Sequence, residues 1–250
     1  MYLRYITCSD PREHNKISEI IDLGCMPLAE VAVQCHPSKM SDGMPRNVWF
    51  RDLLHAAYNV PSFNLAIHIN NEWANDICVK GEIPAVLKEW IYARNSQSNP
   101  IIKRIQLNMP LETAQNINTS ALAHIIAGMP RREFILQYND KTKWAVEKLH
   151  QTNARFSLLF DASGGQGKQP ESWQKPIYET HPTGYSGGIS PDNVVHNLQL
   201  INTLVPKNTD IWIDAEGRLK SNDPFDEKPK FDIKKAQLYV THAKNWEKQR

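Results

Sequence analysis

The sequence predicts an α/β protein, a single-domain (β/α)8 TIM barrel. Three observations predict it. Short apolar segments alternate with helical patterns from end to end, eight strand candidates fit into 250 residues, and no low-complexity linker or internal repeat divides the chain. A doubly wound open sheet is the rival arrangement for the same alternation.

The strand candidates are 2–8, 30–35, 63–69, 102–107, 132–138, 155–160, 182–186 and 209–214. The first helix is expected from Asp10. Asp10 would be its N-cap, Pro11 its first residue and Glu13 the partner in a capping box. Ile17, Ile20 and Ile21 would form its buried face, and Gly24 its end. The segment 71–99 exceeds what one helix needs and carries Gly81 and Pro84, so an insertion or a broken helix is expected. After Ser190 the start signal is fullest: Ser190 as cap, Pro191 in the first position and Asp192 at the positive end of the dipole. Val194, Leu198, Ile201 and Val205 continue it as an apolar stripe. The charged, proline-containing stretch 220–230 reads as a surface loop. Ile233, Ala236, Val240 and Ala243 mark a last amphipathic helix.

Composition narrows the function classes. The 29 basic and 27 acidic residues nearly cancel and form no basic tract or acidic tail, which argues against a nucleic-acid or membrane-surface partner. The apolar runs are strand-length, so no transmembrane helix is expected. The first ten residues lack a signal-peptide core. Cys8, Cys25, Cys35 and Cys78 show no metal-type spacing and read as reduced thiols, so a cytoplasmic protein acting on a small molecule is expected.

In a barrel, chemistry sits at the carboxyl ends of strands. Here those ends are polar at nearly every strand: Cys8-Ser9, Gln34 to His36, His68 to Asn70, Gln106 to Asn108, Gln137 to Asn139, Asp161, and Asp214 to Glu216. Asp161 follows an apolar strand and is a candidate general acid, or equally a carboxylate that accepts backbone bonds from the turn after it. Cys8 is either a thiol activated by a helix N-terminus or a small buried hydrophobe. His36, His68, Asp161 and Asp214 come from four strands and offer an alternative, a metal-assisted hydrolase or lyase, although no short ligand motif is present. A non-catalytic ligand-binding barrel is a third possibility.

Glycine is concentrated. The chain holds 11 glycines, and six fall between Gly164 and Gly188. Five of the six form two clusters, Asp161 to Gly167 and Gly187-Gly188-Ile189-Ser190-Pro191-Asp192-Asn193-Val194, each directly after a strand. The second runs into a helix start, the layout of an anion-binding loop. Taken together, Leu159-Phe160-Asp161, Gly164 to Gly167, Trp173 and Ser186 to Val194 resemble phosphoribosylanthranilate isomerase, a family with an LLD…GGxG…W segment followed by AGGLxPxNV. The likeness covers about residues 155–217.

The resemblance implies a (β/α)8 barrel and a cofactor-free, metal-free Amadori rearrangement of a phosphorylated aminoribose. It implies Asp161 as the acid that protonates the ring oxygen and Cys8 as the base at C2. Gly165, Gly167, Gly187 and Gly188 would hold substrate and phosphate, with Asp214 and Glu216 on the next segment. Two departures stand out. Thr7-Cys8-Ser9 lacks the family's flanking lysine and glycine. The family's Asp-Val-Ser-Ser-Gly-Val-Glu becomes Asp210-Ile211-Trp212-Ile213-Asp214-Ala215-Glu216. A carboxylate in that place is adverse to a phosphate, since two unit charges 4 Å apart repel by about 4 kcal/mol at an effective dielectric of about 20. The resemblance therefore implies acid–base isomerisation of a sugar-like molecule, phosphorylated or not.

Overall fold

Each of the eight apolar segments forms a strand, because strand residues alternate between two faces and here both faces are covered. The computed structural model describes every residue except 153, 162–167, 225 and 250. The strands are β1 Tyr2–Ser9, β2 Ala29–Cys35, β3 Leu65–Asn70, β4 Ile102–Asn108, β5 Glu133–Tyr138, β6 Phe156–Asp161, β7 Thr183–Ser186 and β8 Asp210–Ala215. They pair in parallel and in chain order, and β1 closes on β8 into a barrel. Around it stand α1 Ile17–Gly24, α2 Pro45–Ala57, α3 Asn71–Asn75, α4 Ala85–Ile91, α5 Leu111–Gln115, α6 Thr119–Ala127, α7 Lys143–His150, α8 Val194–Leu204 and α9 Ile233–Lys248. Residues 168–182, the described part of the connection from β6 to β7, carry no helix. No helix among the described residues is long and apolar enough to cross a membrane.

Some local expectations are corrected and others are met. Asp10 does not cap a helix. Its backbone is left-handed at φ 73°, its carboxylate is held by cations, and α1 begins only at Ile17. Gly24 is the last residue of α1, as expected, and packing requires a glycine there: a Cβ would lie 2.3 Å from the Phe63 ring. Ser190 is likewise not the cap of α8. Asn193 holds that place and turns its side chain back, accepting from Ser190 N at 2.8 Å and donating to Gly188 O at 3.0 Å. Segment 71–99 is a broken helix: α3 runs into a π-helical turn at Asp76–Lys80, stops at left-handed Gly81, and α4 follows. The stretch 220–230 is not a loop. It forms an antiparallel hairpin of β9 Lys220–Asp223 and β10 Asp226–Phe231.

The main hydrophobic core lies between strands and helices. Inside the barrel a separate small cluster joins Ile135, Leu159 and Trp212, with Tyr5 against it. Trp212 fits because its neighbour on β7 is Gly184, where a Cβ would fall 2.2 Å from the indole. The guanidinium of Arg104 is sandwiched between Trp212 and Tyr5, with its carbon 4.2 Å and 4.5 Å from the two ring centroids. It donates to Glu30 at 2.8 Å and to Glu133 at 3.1 Å. The Thr7 hydroxyl also donates to Glu30, and that of Ser157 to Glu133. Burial pushes the Glu30 carboxyl up. At Glu133 burial acts the same way, but Arg104 and the Ser157 hydroxyl outweigh it and hold the carboxyl down. This ion-paired aromatic stack is the floor on which the cavity rests.

Candidate active site

Above the floor, at the carboxyl ends of the strands, lies a cavity of about 140 Å³. The period of two in a strand decides what lines it. On β1, Thr7 and Ser9 face inward and make bonds to Glu30 and Asp214. Cys8, between them, faces the helix layer and belongs to the outer core. It is fully buried and is not on the cavity wall. Its pKa is pushed well above the usual thiol value by burial, then by Asp214 and Glu30. The expectation that a helix N-terminus activates this thiol also lapses, because α1 starts only at Ile17. Cys8 and Asp161 are therefore not brought together, which corrects the expected acid–base pair.

Asp161 ends β6 and is on the wall, where Gln137 Nε2 donates to its Oδ2 at 3.4 Å. Gly187 and Gly188 are on the wall too, both left-handed, at φ 121° and 64°. Their missing side chains make room for protein. A Cβ on either would come within 2.7 Å of Lys168 O or Gln169 N. Gly165 and Gly167 lie outside the described residues.

Asp214 is the residue whose role the sequence left open. It sits near the end of β8 with its side chain inside the barrel, 7% exposed. Ser9 Oγ donates to its Oδ1 at 2.6 Å. Burial raises its pKa from an ordinary 3.8 to about 7; the Ser9 bond opposes this, and the charges of Glu216, Glu30 and Asp161 add to it. Asp214 thus changes protonation near neutrality, at a cavity wall, two strands from Asp161. The ladder runs Asp161, Ser186, Asp214, which separates the two backbones by roughly 9–10 Å at ordinary strand spacing.

A chain of amides runs along and behind one side of the wall. Gln106 Nε2 donates to Asn108, Asn108 to Asn70, Asn70 to Gln34, and Gln34 to Glu216 Oε2, with distances between 2.8 and 3.1 Å. Glu216 Oε1 takes Lys220 Nζ at 3.0 Å. At the head of the chain Gln106 Oε1 is buried without a partner. His68 is buried, and its pKa falls to about 3, through desolvation first and Arg104 second, so the ring is neutral. Among the described residues no three His, Cys, Asp or Glu side chains converge as a metal site, so His36, His68, Asp161 and Asp214 do not assemble the ligand set considered above.

Fold and cavity together define a (β/α)8-barrel protein with an acidic, amide-lined cavity at the carboxyl ends of its strands. No protein-family model matches the sequence, and no curated protein matches it. Among solved structures it is similar to 3-hexulose-6-phosphate synthase from Salmonella typhimurium, with 11% sequence identity, a TM-score of 0.45, and coverage of 95% of this chain and 99% of that one.

Proposed function

We propose that this chain is an enzyme that isomerises a sugar-like small molecule by acid–base catalysis, with Asp214 and Asp161 as its proton-carrying pair. The observation that carries the reading is Asp214: a carboxyl at the cavity wall with a pKa of about 7 keeps a proton it can give at neutral pH. Asp214 would protonate the ring oxygen of the substrate as the bond from that oxygen to the anomeric carbon breaks. Asp161 would take the proton from the adjacent carbon, and the electrons of that C–H bond would form the enol. The amide wall suits a ligand rich in hydroxyl groups, and the unpartnered Gln106 Oε1 calls for a donor. The resemblance to phosphoribosylanthranilate isomerase implies Asp161 as the acid and Cys8 as the base; Asp161 and the Gly187–Val194 stretch are kept here, but Asp214 takes the acid role and Asp161 the base role. What is proposed is therefore a reaction class rather than that family's substrate.

The test is hydrogen exchange. The protein is incubated in deuterated water with a panel of aldoses, ketoses and their phosphates, and proton NMR follows loss of the signal beside the carbonyl carbon. Exchange is expected with at least one member, falling as pH rises through about 7, because the acid form is lost there. Asp214→Asn and Asp161→Asn should each slow it by about 100-fold or more. Absence of exchange across the panel, or exchange that survives Asp214→Asn, would overturn the reading.

A further inference from the structure

The catalytic cavity adjoins a larger hollow of about 400 Å³ at the ends of β1, β2 and β3. The two share Gln34, Asn108, Gln137 and Glu216 as walls, so a molecule in one borders the other. Arg12, Lys39 and Arg46 line this second hollow. Asp10 gathers the charges. Its buried carboxylate accepts from Arg46 at 2.8 Å, from Lys220 at 2.8 Å, and from Arg12. Asp10 also has a left-handed backbone, unusual for a residue with a side chain.

Four cations here face two carboxylates, Asp10 and Glu216, which leaves a formal excess of two positive charges. The cations are not used up. Arg46, 4% exposed, has an Nε–H with no partner, and Lys39 has no ion pair among the described residues. The opposite side of the site is poorer ground for an anion. There Ser190 N–H is already taken by Asn193, Asp214 stands beside the glycines, and the one cation on the wall among the described residues, Arg218, is exposed.

We propose that this hollow is an anion subsite for a doubly charged oxyanion, the phosphate ester of the substrate, held at the β1–β2 side of the barrel and not at the glycine turn after β7. The inference rests on the acid–base reading only in assigning the anion to the substrate. Net charge and multiple N–H donors are what a phosphate dianion requires. With the phosphate so held, the sugar extends past Gln34 and Gln137 toward Asp161 and Asp214.

Inorganic phosphate is the first probe, titrated into the isotopically labelled full-length chain and followed by amide NMR. Saturable shifts are expected at Arg12, Lys39 and Arg46. The double variant Arg12→Gln, Lys39→Gln should weaken binding by about tenfold or more. Both side chains are at least partly exposed, so folding should survive. Arg46→Gln tests the buried member. D-ribose 5-phosphate should bind more tightly than D-ribose, and the double variant should erase the difference. Shifts at Gly187, Gly188 and Arg218 instead, unchanged affinity in the double variant, or no saturable binding would each overturn the subsite. Equal binding of the two sugars would overturn its assignment to the substrate. Asp214→Asn should leave phosphate affinity unaltered. A protein that binds phosphate here yet exchanges no sugar proton would keep the subsite and remove the catalytic reading.

Discussion

Replacing Asp214 by Asn should make the protein more stable at alkaline pH and much less so in acid. In the folded chain this carboxyl has a pKa of about 7, against about 3.9 for an unfolded Asp. Between those values the native state holds a proton that the unfolded chain releases. Stability attributable to the protonated group is therefore present below the unfolded pKa and lost as pH rises toward the folded one. The gap between the two values corresponds to roughly 4 kcal/mol, of which about 3 kcal/mol is lost between about pH 4.5 and about pH 8. Asparagine carries no such cost, since it never ionises. Urea unfolding of wild type and Asp214→Asn at the two pH values measures the effect, and any pH-independent cost of the substitution cancels in the difference. A stabilisation of that size corresponds to a rise in Tm of roughly 10 °C for a domain this large. If the gain from Asn is the same at both pH values, or greater in acid, Asp214 is not a carboxyl destabilised by burial, and the acid role assigned to it fails.

Three further outcomes can be checked. Ser9→Ala removes the hydroxyl that favours the charged form of Asp214; it should move the pH limb of exchange alkaline by about one pH unit, the scale of a hydrogen bond to a charged group. Cys8→Ala should leave exchange activity unchanged and cost about 1 kcal/mol in denaturant unfolding, since the thiol packs in the helix layer; a large loss of activity would restore Cys8 to the mechanism. Gly184→Ala puts a methyl group 2.2 Å from Trp212; it should cost about 1–3 kcal/mol and change the tryptophan emission spectrum.

The strands were legible because a barrel strand, covered on both faces, is a short apolar run bounded by polar residues. All eight expected segments lie within two residues of the observed bounds. The wall was half legible. Polar strand ends such as Gln34, Gln106 and Gln137 announced a lined cavity, but not the amide chain that runs along it. The place of Cys8 could have been read from parity: Ile6 and Cys8 share the apolar face of β1, while Tyr5, Thr7 and Ser9 share the other. Asp214 was visible as a carboxylate adverse to phosphate, yet its raised pKa depends on burial and on charges brought to it by the closed barrel. Asp10 looked like a helix cap because Pro11 and Glu13 follow it, and nothing local announces a left-handed backbone held by Arg46 and Lys220. Lys220 itself lay in a charged stretch whose hairpin pairing carries no apolar alternation.

The Ser9–Asp214 hydrogen bond joins residues 205 positions apart and crosses the seam where the last strand meets the first. Lys220 spans the same seam to Asp10 over 210 positions. Until that seam shuts, Asp214 is a solvated carboxyl at a free edge with an ordinary affinity for protons. The titration near neutrality is thus a property of the completed circle and not of any half of it. A chain in which the first and last strands stay apart would lack the Ser9–Asp214 bond, so proton uptake by this one side chain reports closure of the barrel.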